Sequence, residues 1–318
     1  MDKKIFLSRI IPDAGIDLLK NSEFEVEIHY KDKPLSPEEL RNQVKDVHGL
    51  ICLLDDKIDT ALIDSAPNLE VISNMAVGYN NIDTAYAKSK GIKVCNTPGI
   101  LTQSTAELAW ALLFAIARRI PESDMFMREG KFTGWMPMLM LGGDIKGQTL
   151  GVIGTGRIGT AFALMSKGFN MRILYNGKAN SALDKELNAE NVTMDTLIRE
   201  SDFISLHVPL RPENHHLIAK REFDMMKPTA YLINTARGPV VDEKELVRVL
   251  KEKRIAGAAL DVYENEPGLS PGLIDLDNVV LTPHTGSATV PVRNTLAIMA
   301  VENCLRILRG KEGENQVV

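Results

Sequence analysis

Cysteine is scarce. Cys52, Cys95 and Cys304 are the only three in 318 residues, far apart and each inside an apolar run. That spacing excludes a disulfide framework and a cysteine metal site, and it fits the reduced, buried thiols of a cytoplasmic protein. A basic excess is missing as well. Against 42 acidic residues stand 37 basic ones, for a net charge of -5. Nucleic acid or an anionic membrane surface would call for the opposite sign. No apolar run is long enough to span a bilayer without polar breaks. The chain passes from Met1-Asp2-Lys3-Lys4 straight into a short strand pattern, without the apolar region of a signal peptide. Internal repeats, low-complexity tracts and long linkers are lacking too. What is present is 44% hydrophobic content, enough for a large core, in a length that suits two domains.

The most informative stretch runs from Thr149 to Phe162. An apolar run, Leu150-Gly151-Val152-Ile153, leads into Gly154-Thr155-Gly156-Arg157-Ile158-Gly159 and then a helix-compatible Thr160-Ala161-Phe162. The pattern is strand, tight turn, helix. Gly154 permits the reversal, Gly156 lets a pyrophosphate approach the backbone, and Gly159 lets the helix pack closely on the strand. Amides at the helix start, around Arg157 and Ile158, point at the phosphates, where the helix dipole favours negative charge. A second strand, Met171 to Tyr175, follows at βαβ spacing. That context makes the glycine pattern a dinucleotide signal rather than a chance match.

The first hundred residues alternate strand and helix. Strands are expected at Ile5 to Leu7, Glu25 to Tyr30, Gly49 to Leu54, Leu69 to Met75 and Ile92 to Cys95. Helices are expected at Ala14 to Lys20, from Ser36 to near Val47, and from Asp83 to Gly91. Ser36-Pro37-Glu38-Glu39 reads as a capping box, and Gly91 as a left-handed helix end. Leu101 to Ile120, centred on Trp110, is apolar nearly all round, which fits a helix buried between domains. From Gly130 to Gly147 few element signals occur. The apolar loop Trp135-Met136-Pro137-Met138-Leu139-Met140-Leu141 within it is expected to pack on a partner chain.

Beyond the glycine stretch, strands Phe203 to Val208, Tyr231 to Ala236, Ala256 to Val262 and Val279 to Thr282 alternate with helical pattern, as at Asp242 to Arg254. Open parallel sheets bind ligands at the carboxyl ends of their strands, which singles out His207, Arg237, Asp261 and His284. A long helix pattern, Ser287 to Leu308, is expected to return and cover the first domain. The fold class is therefore α/β, with two Rossmann-like, doubly wound parallel-sheet domains.

A carbonyl group reduced at such a site needs a hydride donor, a proton donor and a positive group. His284, in Pro283-His284-Thr285-Gly286, can give the proton, because histidine is the usual general acid and base of enzymes. Glu266, in Glu264-Asn265-Glu266-Pro267, would favour the protonated imidazolium. Arg237, in Asn234-Thr235-Ala236-Arg237-Gly238, can grip a 2-oxo acid by its carboxylate. Singly, each is compatible with a structural role; together, at strand ends of a dinucleotide domain, they indicate catalysis.

The motifs Val152-Ile153-Gly154-Thr155-Gly156-Arg157-Ile158-Gly159, His207-Val208-Pro209-Leu210, Asn234-Thr235-Ala236-Arg237-Gly238 and Ala259-Leu260-Asp261-Val262-Tyr263-Glu264, with Pro283-His284, resemble the D-isomer-specific 2-hydroxyacid dehydrogenases along the whole chain. The resemblance implies a flavodoxin-like substrate domain (residues 1–100 with 286–318), a dinucleotide domain (residues 101–285), an interdomain cleft and a homodimer. It makes His284 the acid, Glu266 its partner and Arg237 the substrate anchor. It places the carboxylate on the amides of Val77 and Gly78, in the loop Asn74 to Asp83. Cofactor contacts fall to Thr105, His207, Pro209, Asn214 (adenosine side), Thr235, Asp261 (carboxamide) and Gly286, beside the glycine loop.

Within the family, Trp135-Met136-Pro137 with Leu141-Gly142, and the strand end Cys52-Leu53-Leu54, resemble the glyoxylate and hydroxypyruvate reductases. Leu54 and Trp135 thereby become substrate-side residues. 2-Ketogluconate reductases look similar, phosphoglycerate dehydrogenase-like enzymes are related, and corepressors of the superfamily use the fold as a dinucleotide-gated binding module. NAD-binding units carry an acid at the end of the second strand. Here Asn176-Gly177-Lys178 stands in its place, which favours NADP(H) over NAD(H). No metal is expected.

Overall fold

The central strands are short and largely apolar, as at Gly49–Cys52, Val71–Asn74 and Phe203–Leu206, where every residue is buried. The computed structural model describes residues 3–318, which divide into two units, residues 3–101 with 287–318 and residues 102–286. The first unit contains β1 (Lys4–Leu7), α1 (Asp13–Lys20), β2 (Glu25–Ile28), α2 (Pro37–Gln43), β3 (Gly49–Cys52), α3 (Thr60–Asp64), β4 (Val71–Asn74), α4 (Thr84–Ser89) and β5 (Lys93–Cys95). The second opens with α5 (Thr102–Ala117) and α6 (Ile120–Arg128). It continues with β6 (Thr149–Ile153), α7 (Arg157–Leu164), β7 (Arg172–Asn176), α8 (Ser181–Leu187), β8 (Glu190–Asn191), α9 (Met194–Glu200) and β9 (Phe203–Leu206). It closes with α10 (Lys220–Met225), β10 (Tyr231–Asn234), α11 (Glu243–Lys251), β11 (Gly257–Leu260) and β12 (Val279–Leu281). Helix α12 (Val290–Leu308) then returns to the first unit.

Both sheets are parallel, in the orders β2-β1-β3-β4-β5 and β12-β11-β10-β9-β6-β7-β8. Each therefore reverses its winding once, between β1 and β3 and between β6 and β9. At those switch points the flanking connections run to opposite faces and open a crevice at the carboxyl ends.

In the first unit α12 lies directly on the sheet. A Cβ at Gly49 would stand 2.6 Å from the Cys304 sulfur, so the bare glycine sets the approach. Cys52, Cys95 and Cys304 are all buried free thiols, as expected. Burial pushes Cys95 up to about 11 and raises the other two thiols as well, which leaves them unreactive. In the second unit α5 packs on β10, β11 and α7. Trp110 donates its indole N–H to the Phe162 carbonyl at 2.9 Å and stacks on Phe162 and Phe169.

Several boundaries differ from the expected ones. The helix begun by the Ser36–Glu39 box, which forms as expected, ends at Gln43 rather than near Val47; Val44 and Val47 are buried from a turn. Strand β3 stops at Cys52 because the Leu53 amide turns to the Asp56 carboxylate at 2.8 Å. Helix α5 stops at Ala117, since Arg119 adopts a left-handed φ of 53°, and α6 follows where no helix is predicted. Nor is α5 buried all round, for Gln103, Glu107 and Ala111 are exposed. The short helices α8, α9 and α10 also go unpredicted; each is at most seven residues long, too short to display helical periodicity. No helix among the described residues is long and apolar enough to cross a membrane.

Candidate active site

At the carboxyl end of β6 the three glycines have separate reasons. Gly154 has φ 96°, and a Cβ there would lie 2.7 Å from the His207 carbonyl oxygen. A Cβ at Gly159 would meet the Gly154 carbonyl oxygen at 2.0 Å. Gly156, at the start of α7, faces open space. Thr155 Oγ1 donates to the Lys178 carbonyl at 2.8 Å, fastening the turn after β7 to this loop. Asn176 lies at the end of β7 and donates its side-chain N–H to the Val192 carbonyl at 2.8 Å. Arg157 and Lys178 are exposed, and Ile158 is half-buried.

The neighbouring strand ends converge on the same edge. Beyond β9, Ser205 Oγ and His207 Nε2 share a hydrogen bond at 2.9 Å. Burial pushes the His207 imidazole down to about 3, so it is neutral near pH 7. Pro209 is exposed, and its carbonyl accepts the Asn214 side-chain amide at 2.9 Å. Beyond β10, the Thr235 hydroxyl is buried without a partner among the described residues. Arg237 follows, half-buried, with Nη1 donating to the Ala236 carbonyl at 2.7 Å. Burial lowers its guanidinium somewhat, opposed by the charge of Glu266.

Beyond β11 lies Asp261, 1% exposed. Its carboxylate accepts from Thr282 Oγ1 (2.6 Å), the Thr285 amide (2.7 Å) and hydroxyl (3.1 Å), and the Gly286 amide (2.8 Å). Thr105 Oγ1 donates to the Gly286 carbonyl at 3.2 Å. His284 sits among these donors with φ 53°, its amide bonded to the Asp261 carbonyl at 2.9 Å. Its Nδ1 meets Glu266 Oε2 at 2.9 Å, while Glu266 Oε1 accepts the Tyr263 amide at 2.9 Å. Burial raises the Glu266 carboxyl. The hydrogen bond and charge of His284, the Tyr263 amide and the charge of Arg237 outweigh that and hold it below its ordinary value. The contact thus holds an imidazole by Nδ1 against a carboxylate whose other near charge is the Arg237 guanidinium.

In the first unit, three asparagines shape the loop after β4. Asn74 donates to the Gly78 carbonyl and Asn96 to the Val77 carbonyl, both at 2.8 Å. Asn81 donates to the Leu53 and Asp56 carbonyls, both at 3.0 Å. The amides of Val77 and Gly78 have no protein acceptor among the described residues. Leu54, at the neighbouring strand end, is exposed. Trp135 is 83% exposed and Met138 76%, while Leu139 and Met140, between Met138 and the exposed Leu141, are half-buried.

Residues 110–286 match the family described as D-isomer specific 2-hydroxyacid dehydrogenase, NAD binding domain. A glyoxylate reductase of Thermococcus litoralis is 46% identical over 323 residues, covering 100% of this chain and 97% of its own. The chain belongs to the D-isomer-specific 2-hydroxyacid dehydrogenases. A Thermus thermophilus protein of known structure superposes on this dehydrogenase with a TM-score of 0.93 at 40% identity, covering 99% of this chain and 100% of that one. The NADPH-dependent glyoxylate/hydroxypyruvate reductase of Sinorhizobium meliloti, in complex with NADP and malonate, gives 0.88 at 29% identity, covering 100% and 97%.

The dehydrogenase's own residues fit a nicotinamide dinucleotide. The open space at Gly156, the uncapped start of α7 and the unpartnered Thr235 hydroxyl all lie at the carboxyl edge of one sheet. Asp261 also has a part within the chain. Its oxygens are engaged by Thr282, Thr285 and Gly286, so within the chain it fastens the His284 turn. The sequence reading misses the three asparagines, whose signal is their clustering around one loop. It also misses His216, which donates from Nε2 to Glu264 Oε1 at 2.7 Å. His215, His216 and Glu264 lie close enough to share an ion, but that direct bond closes the pair on itself.

The neutral burial of His207 predicts a pH effect. Its folded-state value of about 3 lies below the ordinary 6.5, so the unfolded chain binds the extra proton between those limits. Stability is then full above about pH 6.5 and falls toward pH 3 by at most about 1.4 kcal/mol per unit. In urea unfolding, the wild type should lose about 1–2 kcal/mol more than His207→Gln between pH 7 and pH 5. Equal losses would show that the ring is protonated in the folded protein.

Proposed function

We propose that this enzyme reduces a small 2-oxo acid, glyoxylate or hydroxypyruvate, to its 2-hydroxy acid, of D configuration where the product is chiral. The observation that carries the proposal is the His284–Glu266 contact of 2.9 Å at a strand edge that also bears Arg237. The reduced dinucleotide supplies the hydride for the carbonyl carbon. His284 supplies the proton: with Nδ1 held by Glu266, Nε2 gives its proton to the carbonyl oxygen and the ring is recharged from solvent. Arg237 grips the substrate carboxylate with its guanidinium fork. Val77 and Gly78 offer two unengaged amides to the same anion, and Leu54 and Trp135 are assigned to the substrate side. The unit of residues 102–286 is then the dinucleotide domain and the other the substrate domain. Relatives named glyoxylate reductase that span the whole chain support this substrate class. They leave the 2-ketogluconate, phosphoglycerate and corepressor alternatives unfavoured.

His284→Ala should lower kcat for glyoxylate by about 10²–10⁴ while the dinucleotide Kd stays nearly constant. Arg237→Ala should raise KM for the oxo acid as well. Near-wild-type turnover in His284→Ala would overturn the assignment.

We infer that NADPH is preferred over NADH. No acid stands at the end of β7 to repel a 2′-phosphate. Because Asn176 is tied to the Val192 carbonyl, charge recognition falls to the exposed Lys178. Thr105, Arg157, Asn214 and Gly286 complete the assigned cofactor contacts. A charge-assisted phosphate contact is worth about 1.5–3 kcal/mol, or one to two decades in preference. The comparison is kcat/KM for the two cofactors on one substrate. Asn176→Asp, whose carboxylate must turn away from the Val192 carbonyl, should shift the ratio toward NADH. Equal or better use of NADH by the wild type would refute the preference.

A homodimer is supported by the exposed run Trp135, Met136, Met138 and Leu141, more contiguous apolar surface than a lone chain ordinarily shows. Sedimentation equilibrium at micromolar concentration should give twice the chain mass, and Trp135→Ala should weaken association. A monomeric mass for the wild type would sink it.

A further inference from the structure

We propose that His216 is a positioning residue that fixes Arg237 and Glu266 relative to one another. It rests on the roles given to those two residues above. His216 is a non-glycine residue held at φ 51°, a conformation that persists only where its surroundings impose it. Two contacts impose it here. Its backbone amide donates to the Pro239 carbonyl at 2.8 Å. Its Nε2 donates to Glu264 Oε1 at 2.7 Å. Pro239 lies two residues after Arg237, and Glu264 lies two residues before Glu266.

One residue therefore holds both catalytic segments, one by main chain and one by side chain. The two segments also press on each other. A Cβ at Gly238 would stand 1.8 Å from the Tyr263 carbonyl oxygen and 2.4 Å from the Glu264 amide nitrogen. Glu264 is anchored in turn, its Oε2 accepting the Glu243 amide at 3.2 Å at the start of α11. Next to His216, Ile218 bonds to the Val240 carbonyl at 3.0 Å and accepts the Asp242 amide at 2.9 Å, which keeps the Arg237 segment from sliding. The charged and titratable groups that face the His216 ring are Glu264, Asp242 at 3.8 Å and His215, whose ring is tilted against it with centroids 4.0 Å apart. None of them belongs to the Arg237–Glu266–His284 set, so the effect of His216 on catalysis runs through backbone placement.

The test is a cycle of His216→Ala, Glu264→Ala and the double variant, with His216→Asn and Glu264→Gln as conservative partners. Misplacing reacting groups by a fraction of an ångström costs about ten- to a hundredfold. Each alanine variant should lose that much in kcat/KM for glyoxylate, with KM for the oxo acid raised because Arg237 has moved. Dinucleotide affinity, read by fluorescence titration, should stay within about twofold, since the glycine loop is untouched. Both alanines break the His216–Glu264 bond, and Glu264→Ala also frees the Glu243 amide, so the double variant should lose clearly less than the product of the two single losses. Asn adopts the left-handed conformation at less cost than Ala, so His216→Asn should recover part of the KM loss. Glu264→Gln, which keeps an oxygen for His216 but turns its NH2 on the Glu243 amide, should recover most of the loss. Unchanged kinetics in both alanine variants, multiplying losses in the double variant, or a parallel fall in dinucleotide affinity would each overturn the proposal. If His216→Ala does not yield folded protein, Glu264→Ala, on the other segment, decides by the same criteria. His284→Ala, run alongside, separates the two levels, since undiminished turnover there would remove the catalytic assignment itself.

Discussion

One buried carboxylate holds the candidate site in shape. Asp261, nearly sealed from solvent, would be intolerable there alone. It is stable because four donors from Thr282, Thr285 and Gly286 surround it. Those donors flank His284 on both sides, and the Asp261 carbonyl takes the His284 amide. His284 is thereby kept in a left-handed conformation that costs about 1 kcal/mol or more. The direction of the imidazole is set by its neighbours' hydrogen bonds, and Glu266 then fixes its rotation.

The two units solve a similar problem by different means. Around Val77 and Gly78 the side chains of Asn74 and Asn96 consume the carbonyls and leave the amides outward. Two neutral side-chain amides are enough to occupy those carbonyls. Around His284 it is a buried carboxylate, Asp261, that gathers the donors of the turn instead. Both devices sit at the carboxyl ends of parallel strands, the same place that switch-point topology leaves open.

The sequence made legible whatever depends on period and on chemistry carried by neighbours in the chain. The glycine fingerprint, the Ser36–Glu39 cap, the Gly91 helix end and the strand-end placement of Arg237, Asp261 and His284 all belong to that class. Glu266 was legible only as a candidate, since its contact with His284 crosses 18 positions. His216 was not legible at all, because its meaning lies in two contacts to segments 23 and 48 positions away, and a positive φ leaves no mark in a histidine. Short helices such as α8 and α10 escaped because their caps and tertiary packing, rather than their propensity, sustain them. The asparagines around Gly78 read as turn residues, and nothing local announces that they disarm carbonyls.

The three fingerprint glycines answer to different masters. Gly154 and Gly159 are demanded by the polypeptide, which would collide with a methyl group at either. Gly156 is demanded by nothing in the chain, since a Cβ there meets no atom within 4 Å and its φ of -70° suits any residue. Its necessity comes entirely from the guest. A methyl group at this position therefore divorces foldedness from occupancy: the chain keeps its intrinsic stability and forfeits the increment RT ln(1 + [L]/Kd) that a resident ligand adds. A melt of such a variant should match the wild type without dinucleotide and fall short of it once dinucleotide is added.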